Sequence, residues 1–227
     1  YFDYRIDKIN NRLDRPLVRG DIKPRTALIL FAIFFPTGLI ASFFVNMTCF
    51  IIALITGLFA IAYDIKLKKI KLIGNYYIAY TMAIPFLFGG VVFSRNIQEI
   101  IWVIASIAFL SGVGREIMKD VMDMSGDKLD KVRSLPMYVG KNVSFLISGL
   151  FFLSAVMISI TPFIINLNPS YHFNYIYLGL VSTPDALFIW ITGSIIFKEE
   201  PDVKLFRKMS LLALIFGLIA FLGGALL

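Results

Sequence analysis

Asp120, Asp123 and Asp127 stand three and four residues apart in the run Arg115-Glu-Ile-Met-Lys-Asp-Val-Met-Asp-Met-Ser-Gly-Asp127. On an α-helix those intervals put all three carboxylates on one face. Carboxylates crowded in this way repel one another unless a cation lies among them. Hard oxygen donors in that number suit Mg²⁺, which usually takes one or two carboxylates, keeps several waters and completes its shell from phosphate oxygens. A solvated acidic helix face would show the same spacing in a soluble protein. This chain is not composed like one, and its pattern occurs twice.

The second occurrence is at the start of the chain, where Asp3 and Asp7 stand 120 positions before Asp123 and Asp127. The same offset pairs Lys8 with Lys128, Pro16 with Pro136 and Gly20 with Gly140, without a gap. Each copy therefore reads as an acidic pair, a basic stretch, a proline, a glycine and then a long apolar segment. Five matches in register point to an internal duplication, which many membrane proteins carry. In residues 1–25 four aspartates mix with seven cations, and Arg15 and Arg19 follow the acidic pair closely. Carboxylates that hold Mg²⁺ beside arginines that grip phosphate oxygens are what a diphosphate site requires.

The elements that must position these groups are helices in a membrane. Of 227 residues 58% are hydrophobic and 16% charged, with a mean hydropathy of +0.80. A hydrocarbon core of about 30 Å needs roughly 20 apolar residues per helix, and the sequence supplies about seven such spans, near 26–44, 47–65, 73–94, 98–114, 143–165, 173–197 and 205–227. The expected fold is all-α, a multi-pass transmembrane helix bundle. All 22 Lys and Arg except Arg95 fall in segment 1–25 and loops 64–72, 115–142 and 198–208, which share one side if the spans alternate. The positive-inside rule makes that side cytoplasmic, with the C-terminus outside. The net charge of +7 is then explained by orientation and phosphate binding, not by nucleic acid. Cys49 and His172 are each the only residue of their type, which excludes a disulfide framework and Cys- or His-paired metal chemistry.

With these motifs the chain resembles the UbiA superfamily of intramembrane prenyltransferases, which carry two aspartate-rich motifs on one membrane face. The first family motif, NDxxDxxxD followed by Arg-Pro and Gly, is matched by Asp3, Asp7, Arg15-Pro16 and Gly20, and its leading Asn-Asp would fall before Tyr1. The family's basic loop is matched by Tyr63, Leu67, Lys68, Lys69, Gly74 and Asn75, with Lys69 where the family has Arg. Family bundles have nine helices, so the resemblance implies a single transmembrane prenyltransferase domain over 1–227 with two helices missing from its front. It implies Mg²⁺ held by Asp3, Asp7, Asp120, Asp123 and Asp127, and (di)phosphate binding by Arg15, Tyr63, Lys68, Lys69, Asn75, Arg115, Lys119 and Arg133. Lys68 is expected to matter more than Lys71 of the same loop.

Within the family, Arg115-Glu-Ile with Lys119-Asp120, Asp123 and Gly126-Asp127 looks most like an archaeal branch. That likeness implies transfer of a geranylgeranyl group from its diphosphate to the free hydroxyl of geranylgeranylglyceryl phosphate, the second ether bond of archaeal membrane lipids. The partners would be the isoprenyl diphosphate donor, a lipid-like glycerophosphate acceptor and membrane lipid. An aromatic acceptor, as in quinone biosynthesis, is the alternative within the family. A secondary transporter is the alternative from another class, disfavoured because the aspartates lie at the basic face and not at mid-membrane. Asp185, alone among the carboxylates, falls well inside a span. At 12 residues from Phe197, or about 18 Å, it is too deep for the metal end and is expected to line a pocket, protonated or hydrogen-bonded to a neighbouring helix.

Overall fold

The computed structural model describes residues 1–94, 96–129 and 134–226, without the side chains at 69 and 125–129. It is all-α, and seven of its helices are long and apolar enough to cross a membrane. Four of these contain an internal proline, Pro36, Pro85, Pro162 or Pro184, which bundled membrane helices tolerate.

The chain divides into two compact units. The first, Tyr1–Leu67, holds the short helices α1 (Tyr4–Ile9) and α2 (Pro16–Arg19) and the long hairpin of α3 (Pro24–Val45) and α4 (Met47–Ile65). Asn46 makes the hairpin turn, its side chain accepting a hydrogen bond from the Cys49 amide at 2.8 Å as an N-cap does.

The second unit, Lys68–Leu227, comprises α5 (Lys71–Phe93), α6 (Glu99–Leu129), α7 (Leu135–Val139), α8 (Lys141–Ile164), α9 (Tyr175–Phe197) and α10 (Val203–Leu226). Helix α6 packs on both α5 and α8, α8 on α9 and α9 on α10, and α10 returns to α6. Small residues set the seams, as expected where lipid removes the hydrophobic drive for helix association. Gly112 of α6 lies against Ala79 of α5, and a Cβ there would stand 3.1 Å from the Ala79 Cα. Gly114, two residues on, faces α8, where the Ser148 hydroxyl donates to its carbonyl at 2.7 Å.

Helix α6 corrects one sequence expectation. The segment read as a loop from 115 is helical to Leu129, because the acidic residues are spaced for a helix face and no proline interrupts them. A crossing that starts at Glu99 is complete after about 20 residues, so the aspartates ride on a continuation of the same rod beyond the hydrocarbon. The basic stretch 64–72 is also largely helical, with a 3₁₀ turn at Leu67–Lys69 and α5 beginning at Lys71.

The duplication is visible in local geometry. Helix α2 ends on Gly20 with φ +89° and α7 ends on Gly140 with φ +83°. In each the glycine amide donates to the carbonyl of the proline four residues back, at 3.1 and 3.0 Å. Positive φ is open to glycine at little cost, which accounts for the matched Pro-x₃-Gly. The copies part at ψ, 6° at Gly20 and 168° at Gly140. Accordingly α8 starts at once after Gly140, whereas three residues precede α3.

Candidate active site

On α5, Lys71, Asn75, Ala79 and Ala83 recur every four residues and so form one stripe. The lower half of the stripe is small and lets α6 approach; the upper half is polar and meets the aspartates. The buried Asn75 donates from Nδ2 to Asp120 Oδ2 at 2.7 Å. The Lys71 ammonium stands 3.3 Å from Asp120 Oδ1 and 4.0 Å from Asp123 Oδ2. An antiparallel pair in this register matches Lys71 and Asn75, one turn apart, with Asp123 and Asp120, also about one turn apart. Asp120 is 1% exposed and Asp123 37%. Burial of a carboxylate to that degree is tolerable only with charged and hydrogen-bonded partners, and Asp120 has both.

The structure therefore brings together Asp120, Asp123 and Asn75 of the residues expected from sequence, and adds Lys71, which the sequence had set below Lys68. The missed signal was the interval Lys71-x₃-Asn75, a helical pair hidden because the stretch was taken as a loop. Lys68 is half-buried on the 3₁₀ turn. Arg115 Nη1 donates to Glu116 Oε1 and Lys119 Nζ to Glu116 Oε2, both at 3.0 Å. Glu116, 5% exposed, was not singled out from sequence, although it lies four residues before Asp120 on the same face. The side chains of Lys69 and Asp127 and the whole of Arg133 lie outside the described residues.

In the first unit, Asp3 is the N-cap residue of α1 and Asp7 lies one turn further along it, half-buried. Asp14 and Asp21 are engaged locally. Arg12 makes two hydrogen bonds of 2.9 Å to Asp14, and that hydrogen bonding draws the Asp14 carboxyl down to about 2. Arg19 bonds Asp21 at 2.7 Å. Arg15 stands 3.7 Å from Asp14, and Tyr63 is half-buried in the last turn of α4.

The donor set fits Mg²⁺. It offers carboxylate oxygens only, and Asp123 is accessible. Among the described residues no group of three ligating side chains gathers.

Further into the second unit is a cavity of about 380 Å³ whose wall includes Met82, Phe86, Ala108, Asp185, Phe188 and Phe221. Ala108 is 12 residues from Asp120 on α6, about 18 Å along the axis. Asp185 accepts from the Ser159 hydroxyl of α8 at 2.9 and 2.8 Å. Both its depth and its neighbouring-helix partner are as read from sequence. Since Asn accepts the same hydrogen bond, Asp185→Asn should retain transfer within about threefold of the parent, read as initial rate in detergent. A loss as deep as that from removing Asp123 would show that the carboxyl takes part in the chemistry.

An ion-paired end above an oily interior suits molecules with an anionic head and a hydrocarbon tail, and so defines a membrane-embedded enzyme of lipid-like substrates. The chain belongs to the UbiA prenyltransferase family, whose model matches residues 1–216. It is a multi-pass membrane prenyltransferase. Among curated relatives, digeranylgeranylglyceryl phosphate synthase of Archaeoglobus fulgidus is 43% identical over 99% of this chain and 76% of its own length. The protein of that name from Methanocaldococcus jannaschii is 39% identical over 99% and 77%. A solved structure, described as giving structural and mechanistic insights into digeranylgeranylglyceryl phosphate synthase in membranes, superposes with a TM-score of 0.81. It is 36% identical, covering 99% of this chain and 77% of that one.

Proposed function

We propose that the chain transfers a geranylgeranyl group from geranylgeranyl diphosphate to the free hydroxyl of geranylgeranylglyceryl phosphate, as one Mg²⁺-dependent prenyltransferase domain. The observation that carries this reading is the Lys71–Asp120–Asn75 contact beside the accessible Asp123, in a chain whose relatives bear that synthase name. The bond from the allylic carbon to the diphosphate oxygen breaks, an ether bond forms, diphosphate departs and the hydroxyl proton is released. In each unit the acidic motif would hold Mg²⁺, Asp3 and Asp7 in the first and Asp120, Asp123 and Asp127 in the second, and the ion would supply Lewis-acid neutralisation of the leaving diphosphate.

The chain's own residues do the rest. Asn75 and Lys71 fix the Asp120 carboxylate in place, and pre-set charges of this kind lower the barrier where charge develops. Arg15, Tyr63, Lys68, Lys69, Lys119 and Arg133 add donors for phosphate oxygens. The apolar cavity takes the isoprenoid tail and keeps water from the allylic cation. The basic face lies in the cytoplasm and the C-terminus outside.

Product analysis tests this directly. Detergent-solubilised protein with geranylgeranyl diphosphate, Mg²⁺ and both a glycerophosphate and an aromatic acceptor should yield the diether phosphate. Prenylation of the aromatic acceptor alone overturns the substrate assignment. Absence of any diphosphate release favours a transporter.

A further inference from the structure

Two arginines on the side of α6 away from α5 stand apart from the aspartate network. Arg115 lies five residues before Asp120, about 7.5 Å back along the helix and about 140° around it. Asp120 faces α5 through Asn75 and Lys71. Arg115 instead lies within electrostatic reach of Arg207, near the start of α10, the helix that returns to α6.

Both guanidinium groups bury their Nε, and neither Nε has a hydrogen-bond partner among the described residues. Glu116 is the carboxylate at hand, and it is shared, one oxygen to Arg115 and the other to Lys119. Arg207 has no ion pair among the described residues. Two cations thus share one carboxylate, a third lies within electrostatic reach of Arg115, and two buried donors are unmet. Each unmet buried donor and each close like-charge pair is unfavourable. An oxyanion with several acceptor atoms removes both penalties, and arginine forks match phosphate in particular.

We infer that Arg115 and Arg207, with Lys119, form a separate phosphate-monoester subsite that anchors the phosphate of the acceptor. The inference rests on the glycerophosphate reading above. Two chemical facts favour acceptor over donor. The donor's diphosphate needs the metal, and Asp120 turns toward α5, about 140° around α6 from Arg115. In the acceptor, phosphate and free hydroxyl hang from one glycerol, no more than two carbons apart, so the phosphate must be held close to the reacting carbon yet off the metal. That carbon lies on the tail side of the diphosphate, which is the direction in which Arg115 is displaced from Asp120.

The test uses the full chain in detergent, with Arg207→Gln compared with Lys208→Gln, which removes the same charge from an exposed neighbour. Arg207→Gln should raise KM for geranylgeranylglyceryl phosphate about tenfold or more, the scale of a lost charge-assisted bond. KM for geranylgeranyl diphosphate should stay within about twofold, and KM for geranylgeranylglycerol, which lacks the phosphate, should not change; Lys208→Gln should move none of them. A merely structural role, or loss of bulk lipid headgroups, would shift all three together or none, and either pattern overturns the subsite. The unmutated protein gives a second measurement independent of folding. Glycerol phosphate without a tail should compete with the acceptor and not with the donor, and competition with the donor alone is again fatal. Should the unmutated protein make no ether from either glycerol acceptor, the substrate assignment falls and the subsite with it. Ether formation with unchanged constants in Arg207→Gln sinks the subsite alone.

Discussion

Asp123→Ala should reduce prenyl transfer by about a hundredfold or more, the scale of one electrostatic group lost from a reacting site. The fold should survive. Asp123 is 37% exposed and its contact with Lys71 is at the 4.0 Å limit, so little packing depends on it. The measurement is ether product over an Mg²⁺ titration, with thermal unfolding in the same detergent as the control. Because the carboxylate is proposed as a ligand, extra Mg²⁺ should restore little. More than a tenth of parental activity at saturating Mg²⁺ would remove Asp123 from the metal site.

Lys71→Met should be costly in two ways. It strips an ammonium from a carboxylate that is 1% exposed, and breaking one side of a buried pair destabilises by about 3 kcal/mol or more. It also removes a partner that holds the Asp120 carboxylate in place, so transfer should fall further than in Lys68→Ala, reversing the order expected from sequence. The double variant Lys71→Met with Asp120→Asn separates the two effects, since it leaves no unpaired buried charge. It should regain much of the thermal stability and little of the activity. Were the single variant as stable as the parent, the Lys71–Asp120 contact would carry no structural weight.

The sequence displayed the fold class and the spans because lipid imposes a composition and a length that no other environment demands. Helix ends were less legible, since membrane helices here continue past the hydrocarbon with charged residues that keep helical spacing; α6 and the start of α5 both do so. Asp120, Asp123 and Asn75 were found through their spacing and the family resemblance. Lys71 and Glu116 escaped because their roles depend on which helix lies opposite. A lysine in a basic stretch looks like its neighbours until Asp120 is placed 3.3 Å from it. Arg207 escaped for the same reason: only the return of α10 to α6 gives it meaning.

The α5–α6 hairpin also bears on how the chain enters a bilayer. Its two arms are joined by residues 94–98, where the sequence places a single charge, Arg95. Lys71, Asp120 and Asp123 are all at the open end. Inserted as a pair of helices closed end first, the hairpin draws Arg95 and Glu99 through the hydrocarbon, about 3 kcal/mol for each charge on insertion scales. The contacts between Lys71, Asn75 and Asp120 can form at the surface from which the hairpin entered. Those contacts tie the open ends of the two arms together and hold them in one register.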